Sequence, residues 1–306
     1  MREIHNSEET LTFCRALSSP ARLFIVRYLA QNRSANLNEL AEALGVTNGA
    51  VTAHIKALVE ANIIDAVNSS GKRGLQKNCR LREHSFLIDL HNDYNSDSMY
   101  QTEMPVGSYS RHEAYPTCGI ASAEAVIGEV DDKRYFDDPQ RSEAGIVWLS
   151  RGFLEYRVPN YLKPGTRAKE IQLSFEISSE APGVCEDWPS DIHFYLNDES
   201  LGYWTSPGDF GAERGLYTPD WWFPNWNQYG LLKLLSINSE GAYIDGRKIS
   251  DVSLSKLVVN HEAPIIFRFD IPDHAENKGG LTLFGKGFGN YNQDIHVRVI
   301  FEQITE

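Results

Sequence analysis

The chain has little of what marks an exported or membrane protein. Its 306 residues include four cysteines (Cys14, Cys79, Cys118 and Cys185). They lie far apart with no Cys-x-x-Cys pair, which argues against a disulfide framework or structural zinc and fits a reducing cytoplasm. No apolar run nears the roughly 20 residues that a bilayer span requires. Residues 1–10 are polar and partly acidic, unlike a secretory leader. There is no internal repeat, low-complexity tract or EF-hand spacing. Residues 285–289 are glycine-rich but lack the Lys-Ser/Thr of a phosphate loop. Positive charge is scarce as well, with 29 Lys+Arg against 42 Asp+Glu and a net charge of −13.

That charge is unevenly distributed. Residues 1–90 hold 11 Lys+Arg against 9 Asp+Glu, and the remainder holds 18 against 33. The first part can sit near phosphate and the second should shun it. Residues 71–82 carry Lys72, Arg73, Lys77, Arg80 and Arg82 and no acid. The length suits two domains.

Within the first part, Asn36 and Glu39 have the spacing of a helix cap, ahead of Leu37, Leu40, Ala41 and Leu44 at helical intervals. Gly45 supplies a turn, and Thr47 can cap a second helix with Val51, Ile55, Leu58 and Val59 inward. Two earlier helices are expected, one with Leu11, Cys14 and Leu17 inward, the next with Leu23, Phe24, Val26 and Leu29. Residues 63–67 and 75–81 read as a hairpin wing, and 84–94 as a further helix that, with the first, could form a dimer seam. Helix, turn, helix and wing is the order that lays a helix in the DNA major groove. The expected DNA contacts are Thr47, Asn48, Gly49, Ala50, Thr52, Ala53, His54 and Lys56 on the second helix, with Lys72 and Arg73 at the wing tip. Small residues on that face let the backbone approach the groove floor, and alanine methyls can meet thymine methyls.

From residue 106 the apolar period changes to two. About ten short strands, separated by Gly, Asn, Asp and Pro clusters, predict an antiparallel sandwich or jelly roll. Two of them, 146–150 and 153–158, flank an Arg-Gly turn. The fold expected is thus multi-domain: an α+β winged helix-turn-helix over 1–92, a linker over 93–105, and an all-β antiparallel sandwich over 106–306.

The span 203–229 concentrates Tyr, Trp, Gly and Pro among polar side chains and reads as a long ordered loop. Aromatic faces stack on the C–H surface of a sugar ring while carboxylates and amides hold its hydroxyls. Trp204, Asp209, Arg214, Trp221, Trp222, Asn225, Trp226, Gln228 and Tyr229 are the candidate effector-binding residues, with Trp188 a weaker wall. The competing reading is an aromatic mini-core that pins the loop. Asp131, Asp132, Asp137 and Asp138 flank two basic residues and read as a solvated loop rather than a cation site. A glycoside-processing domain would need two carboxylates across the scissile bond. Asp209, Glu213 and Asp220 are near the loop, but nothing marks a pair.

Residues 16–23 (Ala-Leu-Ser-Ser-Pro-Ala-Arg-Leu), 37–41 (Leu-Asn-Glu-Leu-Ala), 51–58 (Val-Thr-Ala-His-Ile-Lys-Ala-Leu) and 61–64 (Ala-Asn-Ile-Ile) resemble the ArsR-type winged-helix repressors. The resemblance covers about the first 90 residues. It implies a homodimer on two-fold double-stranded operator DNA, derepressed by an effector. The cysteines that metal-sensing members carry in the first helix of the motif are missing, and Asp89-Leu90-His91 lacks the second half of another metal site, so no metal or cofactor is expected. The β-rich part is similar to the C-terminal region of long ArsR-type regulators with a jelly-roll module. That similarity rests on residues 205–211, Trp221-Trp222, 227–230 and 288–291. Together these readings describe a cytoplasmic, non-enzymatic repressor whose β domain takes a small polar effector, a carbohydrate above others. The alternative is a β domain that only dimerises or docks.

Overall fold

The computed structural model describes residues 2–4, 7–32, 34–71, 74–82, 86–88, 98–257 and 259–304. The chain forms two compact units, Met1–Asp93 and Tyr94–Glu306. The first opens with β1 (Arg2–Ile4), α1 (Ser7–Leu17) and α2 (Pro20–Asn32). Next come β2 (Ser34–Asn36), α3 (Leu37–Leu44), α4 (Asn48–Glu60), β3 (Ile64–Gly71), β4 (Gly74–Leu81) and β5 (Phe86–Ile88). The wing is an antiparallel sheet in the order β2-β4-β3. Ile25, Leu29, Leu40, Val51, Ile55 and Leu58 form the core with Cys79.

Three expectations change here. Within 84–94, the described residues 86–88 are a strand and not a helix, paired in parallel with β1. Phe86 packs on Phe13 with ring centroids 4.8 Å apart. The inward faces of α1 and α2 differ in part: Leu29 is buried and Leu17 and Val26 pack on the core as expected, joined by Phe13, Ala16 and Ile25, while Cys14 is exposed and Leu11, Leu23 and Phe24 are 48%, 41% and 40% exposed. Four consecutive apolar residues (Leu23 to Val26) leave the inward face of α2 undefined by period alone. Val59 likewise lies on the surface of α4 rather than in its inner stripe.

The second unit begins with β6 (Met99–Met104), inside the stretch expected as linker, and β7 (Arg111–Ala121). The strands β8 (Ile146–Val158), β9 (Thr166–Ser178), β10 (Ser190–Leu196) and β11 (Glu199–Ser206) follow. The remainder are β12 (Leu231–Ile237), β13 (Ala242–Ile244), β14 (Arg247–Ser250), β15 (Ile265–Ile271), β16 (Leu281–Phe284) and β17 (Ile295–Gln303). One layer runs β11-β10-β15-β8-β7, the other β6-β17-β9-β12-β13-β14. The short β16 pairs with 146–149 of β8 and 176–178 of β9, joining the layers into a nearly closed antiparallel sandwich. Alternation along β15 buries Ile265, Phe267, Phe269 and Ile271 between the layers.

The expected Arg-Gly turn is instead a bend within the continuous β8. Gly152 has φ 115°, and a Cβ there would stand 1.9 Å from the Glu113 carbonyl oxygen. Opposite it, β7 carries a bulge: Tyr115 faces Arg151 and Cys118 faces Leu149, so Pro116 and Thr117 oppose Ser150 alone. Thr117 lies in this bulge.

Candidate functional site

The helix-turn-helix is built by local hydrogen bonds. Asn36 Oδ1 accepts from the N–H groups of Asn38 (2.9 Å) and Glu39 (3.1 Å), and Glu39 Oε2 accepts from Asn36 N–H at 2.8 Å. Gly45 ends α3 at φ 68° and donates to the Ala41 and Glu42 carbonyls. Thr47 Oγ1 then accepts from Ala50 N–H at 3.3 Å and starts α4. With Val51, Ile55 and Leu58 buried, α4 presents Asn48, Gly49, Thr52, Ala53 and Lys56 exposed, with Ala50 and His54 half-buried. A methyl on Gly49 would meet nothing nearer than Thr47 Oγ1 at 4.0 Å, so this face is open. Asn48 Nδ2 donates to Asn38 Oδ1 at 2.8 Å, and Thr52 Oγ1 to the Asn48 carbonyl at 2.8 Å, which orients both side chains. Lys56 lies 3.9 Å from Glu60, both well exposed. The wing-tip residues Lys72 and Arg73 lie outside the described residues, as do Asp89 and His91. Of the other wing cations, Arg80 and Arg82 approach Asp65 (3.8 and 3.4 Å), whereas Lys77 is exposed.

In the second unit the aromatic loop is tightly knit. The Arg214 guanidinium donates to the carbonyls of Pro219, Asp220 and Trp222. Trp221 Nε1 donates to the Ala123 carbonyl (2.6 Å) and the buried Trp222 to that of Asn227 (2.8 Å). Gln228 Nε2 reaches the Phe223 and Trp226 carbonyls at 2.8 and 2.9 Å. Tyr229 stacks on Phe210 at 5.4 Å, and Trp204 lies beneath the Lys233 ammonium at 4.6 Å. Trp188 Nε1 donates to the Glu180 carbonyl at 3.1 Å, and Asn225 is exposed. Trp222 packs against Phe288, Trp226 and Trp148 at 5.0, 4.8 and 5.7 Å. Most of the candidate effector residues therefore take part in pinning the loop. The acidic stretch at 131–138 is locally satisfied: Asp132 and Asp138 accept the N–H groups of Arg134 and Gln140.

One candidate, Trp226, lines a cavity of about 220 Å³, together with Thr117, Asp131, Trp148, Glu180 and Asn227. At its wall the buried Glu180 carboxyl accepts from Thr117 Oγ1 (3.0 Å), Asn227 Nδ2 (2.9 Å) and Thr282 Oγ1 (3.0 Å). Burial, reinforced by the neighbouring Asp209, holds its pKa well above the usual carboxylate range. Asp209, fully buried behind the cavity-lining Ala181, accepts that residue's N–H on Oδ2 at 3.1 Å. Its Oδ1 has no partner among the described residues, and burial pushes its pKa up to about 7. Thr117 and Glu180 were not singled out as binding residues from sequence, whereas Asn227 is one of the polar side chains interleaved with the loop aromatics. Glu180 follows two serines and precedes Ala-Pro-Gly, a turn composition that gives no sign of burial.

Residues 17–67 match the helix-turn-helix domain family, and the first unit is a domain of the kind that DNA-binding transcription regulators carry. Among solved structures the chain is similar to a possible transcriptional regulatory protein (fragment 1-100) of Mycobacterium bovis, at 23% identity over 24% of this chain and 74% of that one, with TM-score 0.22. It is also similar to a transcriptional regulator homologue of Pyrococcus horikoshii OT3, at 22% identity over 24% and 75%, with TM-score 0.21. A botulinum neurotoxin type C structure aligns at 11% identity over 78% and 49%, with TM-score 0.24. No curated protein matches the chain.

Proposed function

We propose that the protein is a homodimeric repressor of the ArsR type, acting in the cytoplasm, whose β unit binds a small polar effector, a carbohydrate above others. The observation that carries the DNA-binding part is the open, small-residue face of α4, seated on a capped helix-turn-helix. Backbone approach at Gly49 and Ala53 serves base-edge contact, and Lys56 and the wing cations serve phosphate contact. The exposed Leu11, Leu23 and Phe24 on α1 and α2 are apolar surface that a second copy would cover. The effector shifts the dimer between operator-binding and released states through its differential affinity for them.

For the effector, support comes from the cavity, where the Trp148 and Trp226 indoles stand beside Glu180 and Asn227. A glycoside-processing reading fits less well. Asp209 is closed off from solvent, and Glu213 and Asp220 do not line the cavity.

The test is selection of a binding site from random duplex DNA, followed by gel shift. A selected site should be a two-fold repeat. Thr52→Ala combined with His54→Ala should weaken its binding about 10-fold or more, the cost of roughly one base contact per subunit, with unchanged circular dichroism. Unchanged affinity would remove α4 from the interface.

A further inference from the structure

The cavity in the β unit has a chemistry narrower than "small and polar". Asn227 Nδ2 spends its two hydrogens on Glu180 Oε2 (2.9 Å) and Thr282 Oγ1 (3.0 Å). The hydroxyl hydrogens of Thr117 and Thr282 are likewise directed at Glu180. The amide and hydroxyl hydrogens around Glu180 are thus directed at its carboxyl or at one another, and the indole N–H groups of Trp148 and Trp226 are the other side-chain donors of the lining. Among the described residues, no lysine or arginine lines the cavity. The nearby cations are engaged elsewhere: Lys133 lies over the Tyr115 ring at 5.4 Å, and Arg134 is clasped by Asp132. Asp131, exposed at the wall, adds a second carboxylate, and Asp209 stands behind Ala181 with one buried oxygen unpaired among the described residues. The Trp148 and Trp226 side chains complete the lining.

A neutral sugar can use donors and acceptors alike but gains nothing from the charge of a carboxylate. A protonated amine brings three donors and no acceptor, gains from carboxylate on one side and is attracted by an indole face on the other. We propose that the effector is a small organic cation, with its ammonium held at Glu180 beside Trp148 and Trp226. This rests on the reading that the β unit receives a small effector, and it narrows that effector to amine-bearing molecules, amino sugars included.

Three neutral donors and, among the described residues, no counter-charge face Glu180, while Asp209 and Asp131 disfavour its ionised form and the Cys118 thiol stands nearby. An arriving cation therefore favours the ionised carboxylate and expels the proton that burial retains there. Binding is accordingly accompanied by proton release.

Titration calorimetry and tryptophan fluorescence on the full chain test this with two matched pairs, glucosamine against glucose and putrescine against 1,4-butanediol. Expected is binding of at least one amine, 10-fold or more tighter than its neutral counterpart, with a heat that varies with the ionisation enthalpy of the buffer. Glu180→Gln should remove that preference. Because this change disturbs a buried network, Asp131→Asn is the second variant: its side-chain oxygen can still accept the Cys118 N–H that Asp131 Oδ1 accepts at 2.8 Å, and it is expected to weaken amine binding 2- to 5-fold. Glucose or butanediol binding as tightly as its amine partner would overturn the charge inference and leave the effector reading standing. Silence from all four compounds would overturn both.

Discussion

Asp209 is a sensitive reporter of the β unit because its carboxyl is buried with one oxygen bonded to Ala181 N–H and the other unpaired among the described residues. An acid whose pKa is raised in the fold, here to about 7, binds a proton more tightly folded than unfolded. Its contribution to stability is complete below the unfolded value near 4 and is lost as pH rises through about 7. Glu180 is shifted in the same direction. The melting temperature of the β unit should therefore fall between pH 5 and pH 8. Asp209→Asn, which cannot ionise, should flatten part of that fall. Parallel melting curves for the two proteins across this range, followed by near-ultraviolet circular dichroism, would count against a neutral buried Asp209.

At the scale of elements, Gly45 carries the turn between α3 and α4. A Cβ there would meet no atom within 4 Å, so glycine is needed for its φ of 68° and not for space. Gly45→Ala should cost about 1 kcal/mol from the left-handed backbone alone, measurable by urea denaturation, with α4 and its DNA-facing residues still in place. The caps of these helices were legible because each lies within four residues of its partner: Asn36 with Glu39, Thr47 with Ala50. β7 was not legible, since Pro116 and Gly119 interrupt its alternation and only the bulge against β8 accommodates them. Nor was β5, whose partner β1 lies more than 80 residues earlier. The aromatic loop was visible as a loop, but Arg214 and the Trp222 N–H turn toward its own carbonyls and the Trp221 N–H toward that of Ala123. The cavity gathers Thr117, Trp148, Glu180 and Asn227 from four separate segments. Its assembly is set by long-range strand pairing, to which no local spacing points.

At the scale of the molecule, the charge division governs how DNA binding responds to salt. The acidic second part, net −15 by its 18 Lys+Arg and 33 Asp+Glu, offers no general attraction to a polyanion. Phosphate contact then falls to the first unit. There Lys56 and Lys77 are exposed, Lys72 and Arg73 join them in sequence, and Arg80 and Arg82 are drawn toward Asp65. A dimer presenting about eight such cations should give a slope of log K against log salt near −7 for duplex DNA. Fluorescence anisotropy between 50 and 300 mM salt would measure it. A slope near half that value would mean that a single subunit engages the duplex. A markedly steeper one would mean that Arg80 and Arg82 leave Asp65 for phosphate, and Asp65→Asn should then tighten binding, whereas at the expected slope it should leave binding nearly unchanged.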